Sequence, residues 1–207
     1  MSKFLNFLKN NKNDIFKPII VLLSICIVIP LALSLTNELT AKRIEKLQKE
    51  KEISTMSKLI DADNFEKCSF VGEKEKFDFH IATTNGETKG YIFITAAKGY
   101  GDEVSVMTAI GTDGKVKAVS ILDASSETPG LGQNVTKESF YSQFENKIKD
   151  ITVVRNSAVD KNNEINAVTG ATISSKAVTS AVNEALAQYE EYSKATPNDT
   201  EVGTSEE

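Results

Sequence analysis

The feature that most limits how this chain can fold is a long apolar run close to its first residue. Residues 19–35 are interrupted only by small or helix-tolerated residues, namely Ser24, Cys26, Pro30 and Ser34. As a helix rising ~1.5 Å per residue, the run extends roughly 26 Å, near the lower limit for crossing the core of a bilayer. A buried soluble helix is the simpler interpretation, but no comparable amphipathic partner follows nearby. The sequence therefore predicts a transmembrane anchor at residues 19–36.

A cleaved secretory signal is the main alternative, because basic residues precede the apolar run. No small-x-small cleavage site follows, since residues 36–40 lead directly into a charged segment. Basic residues flank the run on both sides: Lys3, Lys9, Lys12 and Lys17 before it, and Lys42, Arg43, Lys46, Lys49 and Lys51 after it. The numbers of basic residues on the two sides of the run are thus nearly equal, so the positive-inside rule alone does not give the orientation. Because the leading segment is short and the trailing part is large, we expect a single-pass cell-membrane protein with residues 1–18 in the cytoplasm.

The part after the anchor has the pattern of one α+β domain with flanking segments. Residues 37–58 form a charged stretch that predicts a juxtamembrane helix. Residues 59–193 predict a folded extracytoplasmic domain in which strands come first and helices follow, an order typical of helices on an antiparallel sheet. Residues 194–207 are acidic, with basic residues absent from position 196 onward, which predicts a disordered tail.

Within the domain, the strand signals are strongest in its first half. Gly90–Thr95, Val104–Ile110 and Val116–Leu122 are β-type runs, and the Asp113–Gly114 turn joins the last two as a hairpin. Weaker signals predict a short helix around residues 137–144 and a strand at residues 153–154. A long amphipathic helix follows, whose apolar face carries Val178, Val182, Ala185, Leu186 and Tyr189.

The composition leaves few groups with which the chain could do chemistry of its own. It has two cysteines (Cys26 and Cys68), one histidine (His80) and no tryptophan. These numbers exclude a Cys/His nucleophile pair, a His-rich metal site and a Cys-ligated iron–sulfur cluster, so we predict no metal site and no catalytic residue. The net charge of −5 offers no basic surface for nucleic acid. A bound cofactor would have to supply any chemistry, and His80 is expected to be structural.

Three glycine-containing segments are chemically unusual. They are Lys98-Gly99-Tyr100-Gly101, Glu127-Thr128-Pro129-Gly130-Leu131-Gly132 and Thr169-Gly170-Ala171-Thr172-Ile173-Ser174-Ser175. Glycine allows the backbone to approach a ligand closely, although each segment alone could equally be a turn. Thr172 lies where the last helix begins, so its hydroxyl could cap that helix or carry a phosphate held by the unpaired backbone N–H groups.

Together, and in this order behind one membrane span, these features resemble a known family. The chain is similar over essentially its whole length to the G subunit of the Rnf complex, a membrane ferredoxin:NAD⁺ oxidoreductase, and to its FMN-binding domain. The flavin-attachment pattern of that family is Asp, two variable residues, Ser or Thr, then Gly-Ala-Thr. Here the corresponding residues run from Asn166 to Thr172, with Asn166 in the position of the Asp.

The resemblance implies that Thr172 carries FMN through a phosphoester installed by a separate flavin transferase. The residues themselves agree with this attachment, because Gly170 and Ala171 leave the Thr172 hydroxyl accessible and Thr169 and Ser174 can add hydroxyl donors to the phosphate. The family segment matching residues 127–132 lies against the isoalloxazine, which assigns flavin contacts to Glu127, Thr128, Gly130, Leu131 and Gly132. Tyr100 is placed near the flavin, or alternatively in the core as a strand-end aromatic residue.

The implied function is that of an electron-carrying subunit, without independent catalytic activity, of a redox-driven Na⁺ or H⁺ translocase. Its implied partners are the A, B, C, D and E subunits of the Rnf complex, the flavin transferase and the membrane. Two alternatives remain open from the residues. One is the C subunit of the Na⁺-pumping NADH:quinone oxidoreductase, which shares the domain and the motif. The other is a membrane-anchored interaction module in which Thr172 only caps a helix.

Overall fold

An N-terminal helix precedes the folded domain in the computed structural model, which describes residues 12–73, 75–155 and 163–195. Helix α1 comprises Lys12–Leu59. Its segment Lys17–Glu38 has a mean hydropathy of 2.8 with none of it buried, and among the described residues it is the one helix long and apolar enough to cross a membrane. The predicted apolar N-terminal helix is thus confirmed, and the predicted juxtamembrane helix lies within α1. Residues 1–11 lie outside the described residues, as do residues 196–207 of the tail predicted at 194–207, whereas residues 194 and 195 belong to the last helix.

Two compact units divide the chain, one ending at Lys51 and the other starting at Glu52. The second unit is built around a five-stranded antiparallel sheet whose strands neighbour one another in chain order. Its strands are β1 (Asn64–Val71), β2 (Lys76–Thr84), β3 (Glu87–Lys98), β4 (Glu103–Gly111) and β5 (Val116–Asp123). The predicted hairpin is present between β4 and β5, where Gly114 has a φ of +75° and its N–H donates to the Gly111 carbonyl at 3.0 Å. This positive φ explains the glycine in the Asp-Gly turn.

Several short elements connect β5 to the last helix of the domain. A 3₁₀ turn at Gly132–Thr136, helix α2 (Glu138–Tyr141) and a second 3₁₀ turn at Ser142–Phe144 occupy the region predicted as one short helix. Strand β6 (Thr152–Val154) contains the predicted strand at residues 153–154 and pairs in parallel with β7 (Glu164–Asn166), which the sequence pattern did not reveal. Helix α3 (Thr172–Ala195) follows β7 after five residues.

Alternate residues of each strand face opposite sides of the sheet, and each side is covered by a different helix. Odd-numbered positions of β3, such as Phe93, face α3, and Val178 and Val182 of that helix are fully buried against the sheet. Burying a valine side chain contributes about 1.5–3 kcal/mol. The opposite face carries Ile92 and Met107, and it is covered by Met56 near the end of α1. The α+β class with an antiparallel sheet and helices is confirmed.

A buried hydrogen bond also joins α3 to the sheet. The Thr95 hydroxyl donates to the Ala181 carbonyl at 2.8 Å, and Thr95 is 6% exposed. Because this contact lies on the α3 face of the sheet, it helps to fix the position of the helix on the strands. The N-terminal end of α3 is thereby held beside the loops that leave β3 and β5.

Candidate functional site

The three glycine-containing segments meet around one cavity. Its volume is about 640 Å³, within the ~300–1,000 Å³ typical of ligand clefts. The lining residues are Tyr100, Thr128, Leu131, Gly132, Arg155, Gly170, Ala171, Thr172, Ile173 and Ser174. They come from the β3–β4 loop, the segment after β5, the end of β6 and the start of α3. Segments far apart in the sequence therefore line one cavity.

Thr172 is the first residue of α3, as predicted, but it does not cap the helix. Its side chain is half-buried at the cavity, and its hydroxyl makes no hydrogen bond with any residue that the structure describes. Ser175 instead braces the helix start: its hydroxyl accepts the Val168 N–H at 2.9 Å and donates to the Ala171 carbonyl at 2.9 Å. The capping alternative for Thr172 is therefore wrong, and its hydroxyl is left available at the cavity.

The first turn of α3 also brings unpaired backbone donors to the cavity. Ser175 is the first residue of this turn whose N–H has a backbone acceptor, the Ala171 carbonyl at 3.0 Å. Within the described ranges, the N–H groups of Thr172, Ile173 and Ser174 have no acceptor. Unpaired N–H groups at a helix start carry about half a positive charge and favour an anion. The cavity wall at Thr172 is thus suited to a phosphate.

Arg155 adds a full positive charge to the same cavity. It directly follows β6, and among the described lining residues it alone is cationic. The sequence pattern did not single it out. The available signal was an arginine at the end of a short strand pattern. This signal was not enough, because Arg155 reaches the start of α3 only through the parallel pairing of β6 with β7. That pairing could not be read from the pattern.

Glu127 lies behind the cavity wall and not in its lining. It is 1% exposed, and its Oε1 accepts the N–H groups of Tyr100 at 2.8 Å and Gly101 at 3.1 Å. Its Oε2 accepts a hydrogen bond from the Ser174 hydroxyl. The expectation that Glu127 contacts the flavin is therefore corrected, because its carboxylate is fully engaged by the protein. Ser174 lines the cavity, but its hydroxyl hydrogen is directed to Glu127 and not toward a phosphate.

Two other expected contacts lie outside this cavity. Thr169 is exposed and lines a neighbouring cavity of about 340 Å³ together with Gln143 and Asn166. Gly130 is absent from the lining; it has a φ of +75°, and its carbonyl accepts the Asn134 side-chain amide at 2.6 Å. The structure therefore gives Gly130 a role in the loop conformation. Neither residue is among the lining residues of the main cavity.

Apolar side chains form the rim of the cavity. Tyr100 is 68% exposed, Leu131 47% and Ile173 53%. The alternative that Tyr100 packs in the core is therefore wrong, since its ring stands at the cavity. Large exposed apolar groups around a concave site are typical of ligand contact, because covering them removes apolar surface from water. The rim could hold a flat, largely apolar ring.

Asn166 occupies the motif position at which the family pattern has Asp. It lies in β7, where its N–H donates to the Gln143 side chain at 2.8 Å. Its side-chain Oδ1 is buried and has no hydrogen-bond partner in the described part of the chain. A carboxylate oxygen in this place would be a buried charge without a donor, which costs much more than a neutral amide. The local surroundings thus accommodate Asn in this chain.

His80 lies in β2, away from the cavity. Burial lowers its pKa, and the nearby Lys67 lowers that pKa further. Its Nδ1 is buried and has no partner among the residues described. No cluster of three His, Cys, Asp or Glu side chains suited to a metal occurs in the described ranges. The groups that the described residues bring to the cavity are Thr172, the unpaired N–H groups, Arg155 and the apolar rim.

The chain is similar to known proteins in sequence and in fold. The model of the FMN-binding domain family matches residues 99–187, an interval that contains all three segments except Lys98, and most of α3. Over 164 residues the chain is 40% identical to the G subunit of the proton-translocating ferredoxin:NAD(+) oxidoreductase complex of Clostridium ljungdahlii, covering 78% of this chain and 82% of the relative. Over 196 residues it is 35% identical to the G subunit of the Na(+)-translocating ferredoxin:NAD(+) oxidoreductase complex of Acetobacterium woodii, covering 87% and 94%.

A solved structure shares the fold. The C subunit of the Na(+)-translocating NADH-quinone reductase of Parabacteroides distasonis superposes with a TM-score of 0.54, covering 67% of this chain and 80% of that one. Its sequence identity of 19% is low, so the likeness concerns the fold alone. The two sequence relatives carry more weight, because they are similar over most of their length at 35–40% identity.

Proposed function

This chain belongs to the family of G subunits of ion-translocating ferredoxin:NAD⁺ oxidoreductase complexes, and we propose that it relays electrons through an FMN joined to Thr172 by a phosphoester. An electron-carrying role in an ion-translocating complex is what the family and its FMN-binding domain support. The attachment at Thr172 rests on one observation. Of the hydroxyls in the first turn of α3, those of Ser174 and Ser175 are engaged in hydrogen bonds, whereas that of Thr172 has no partner among the described residues.

The surroundings of Thr172 suit a phosphodiester. Three unpaired N–H groups begin at this residue, and Arg155 lines the same cavity. Hydrogen bonds between charged and neutral groups are shorter and about twice as strong as neutral ones, and the helix dipole adds ~0.3–1 kcal/mol for an anion at an exposed N-terminus. Thr172 would hold the phosphate covalently, while the backbone and Arg155 would stabilise its charge.

The rest of the cavity suits the flavin ring system. Tyr100 and Leu131 present exposed apolar surface, and Thr128 brings a hydroxyl to the lining. When bound, FMN supplies reversible one- and two-electron transfer, for which the side chains of this domain have no equivalent. The apolar rim would exclude water from one side of the ring. Hydrogen bonds from Thr128 or from loop N–H groups would tune its potential.

The apolar segment of α1 suits an anchor beside polytopic subunits. Residues 19–35 contain no ionisable side chain other than the Cys26 thiol, so a path for ions through this segment has no charged group to line it. We propose that ion movement belongs to other components of the Rnf complex, and that the FMN domain lies on the extracytoplasmic side. A covalent tether is useful there, because FMN lost outside the cytoplasm could not easily be replaced. A separate flavin transferase would install the group.

In-gel flavin fluorescence tests the attachment. The full chain is co-expressed with a flavin transferase, and denatured membranes are separated by electrophoresis and illuminated. We expect a fluorescent band for the wild type and for Thr172→Ser, which keeps a hydroxyl, and no band for Thr172→Ala. Ser180→Ala, which removes an exposed hydroxyl from the same helix, serves as the matched control and should remain fluorescent.

Two results would contradict the proposal. A fluorescent Thr172→Ala band would move the linkage to another residue. A wild-type band without fluorescence, and without a mass increase corresponding to FMN, would favour the alternative of a membrane-anchored interaction module.

A further inference from the structure

We propose that Glu127 is a positioning residue that fastens the Gly99–Tyr100–Gly101 loop to the first turn of α3 and so holds the Tyr100 ring at the flavin. The inference rests on the proposed function only for the identity of the ligand. The contacts of Glu127 are a property of the polypeptide itself. Glu127 would not touch the flavin, and its effect would pass through Tyr100.

One carboxylate joins three segments of the site. Glu127 belongs to the segment after β5, where its own N–H donates to the Ala124 carbonyl at 3.1 Å. Its Oε1 accepts two N–H groups of the β3–β4 loop, and its Oε2 accepts the hydroxyl of Ser174 in α3. With 1% exposure, the carboxylate has no solvent to replace any of these donors. Such bonds are costly to break, because buried donors without an acceptor keep the full penalty of desolvation.

Two glycines of the site lie directly against the same carboxylate, and a third lies against the residue before it. A Cβ atom at Gly99 would overlap Glu127 Oε1, and one at Gly132 would lie 2.6 Å from Oε2. A Cβ at Gly101 would overlap the carbonyl of Ser126, the neighbour of Glu127. At each of these three glycines, the nearest atom would be closer to the added Cβ than real Cβ contacts allow. Gly99 and Gly132 therefore leave room for the Glu127 side chain, in addition to any role in admitting a ligand.

Glu127 accepts the one hydrogen bond that the described residues provide to Tyr100. The ring is 68% exposed, and among the described residues its hydroxyl makes no hydrogen bond and its ring makes no aromatic contact. Only its backbone is held, by the bond from its N–H to Glu127 at 2.8 Å. If the backbone bond is lost, the ring can leave the cavity without breaking any other polar or aromatic contact. Glu127 would thus help to keep Tyr100 in place, together with the bond from the Gly99 N–H to the Asp102 carbonyl at 2.8 Å.

Hydrogen exchange of the unmodified full chain in detergent tests the link without any flavin. Glu127→Leu keeps a similar volume but removes both acceptors, and we expect the amides of Tyr100 and Gly101 to exchange at least about tenfold faster. Glu127→Gln should restore slow exchange, because its carbonyl oxygen can still accept both N–H groups. Glu103→Leu makes the same change at an exposed glutamate beside the loop and should have no effect.

Unchanged exchange at Tyr100 and Gly101 in a folded Glu127→Leu protein would overturn the proposal. Protection of Val178 and Val182 reports whether α3 remains folded. If Glu127→Leu does not fold, Gly99→Ala replaces it, since the added Cβ displaces the carboxylate while Glu127 itself is intact. The same loop-specific acceleration is expected, and its absence would equally refute the link.

A double-mutant cycle in the flavin-bearing protein tests the route through Tyr100. A tyrosine ring in contact with a flavin quenches its fluorescence, so Tyr100→Ala and Glu127→Leu should each increase the fluorescence of the native protein. The double variant should be no brighter than Tyr100→Ala alone. Additive increases would refute positioning through Tyr100. If the wild type carries no flavin, the proposed function fails, whereas the exchange experiment still decides the role of Glu127.

Discussion

Replacing Gly170 by alanine should destabilise the domain close to the threonine that we propose is modified. Gly170 has a φ of +79°, a left-handed conformation in which an L-residue costs about 1–2 kcal/mol. An added Cβ would also lie 3.1 Å from Leu131 Cδ2, so the rim side chain must shift by a few tenths of an ångström. For a unit of this size, 1–2 kcal/mol corresponds to a thermal midpoint lower by roughly 2–8 °C.

Gly86→Ala provides the matched control for this prediction. Gly86 has nearly the same φ, +80°, but nothing lies within 4 Å of the position of its Cβ, and it is in the β2–β3 turn away from the cavity. Both variants should lose stability in thermal unfolding of the full chain in detergent. Only Gly170→Ala should also slow flavin attachment, because it alone disturbs Leu131 beside Thr172. A Gly170→Ala protein as stable as the wild type would refute the argument from backbone conformation.

Three further predictions concern charge, packing and pH. Arg155→Ala should slow flavin attachment about tenfold, as expected for the loss of a charged hydrogen bond worth ~1.4 kcal/mol, and Arg155→Lys should slow it less. The attachment rate is measured by in-gel fluorescence, and an Arg155→Ala rate equal to the wild-type rate would show that Arg155 does not act in the site. Thr95→Val should lower the free energy of unfolding by about 1 kcal/mol in denaturant titrations, since the buried hydrogen bond from the Thr95 hydroxyl to the Ala181 carbonyl is lost, and an unchanged midpoint would contradict this. A hydrogen bond from Lys149, followed by one from a second lysine, lowers the pKa of Glu190 from 4.5 to about 2. Because this pKa is depressed on folding, its stabilising contribution is present above about pH 4.5 and is lost as the pH falls toward 2. In Lys149→Met the Glu190 pKa measured by NMR should rise toward 4.5, and a constant value would refute the pairing.

The elements with strong local signals could be predicted from the sequence. The Asp113–Gly114 turn and the alternating residues of β4 and β5 need only neighbours in the chain to specify a hairpin. The same holds for the start of α3 at Thr172, where an apolar period of 3.6 begins. The short strand β7 carries no such signal, because three residues cannot display a period, and it forms only by pairing with β6.

The candidate site could be predicted as a set of segments, but the roles of single residues could not. From the sequence, Glu127 and Ser174 were both expected against the ligand, whereas their side chains are hydrogen-bonded to each other and Glu127 lies behind the cavity wall. Arg155 was missed because a lone arginine is uninformative until its neighbours in space are known. A side chain that lines a cavity and one that supports the wall can have the same sequence context, since orientation depends on packing between distant segments.

By itself, the sequence determined the apolar helix, the α+β class and the three segments that matter, because these follow from local composition and periodicity. Only the tertiary structure decided what the polar groups do. It engages the hydroxyls of Ser174 and Ser175 and leaves that of Thr172 without a partner among the described residues. It also buries Glu127 where three segments meet. Hydrogen bonds between residues far apart in the chain are formed only when packing brings donor and acceptor within about 3 Å. A local pattern of residues therefore cannot predict which donor and acceptor will form a hydrogen bond.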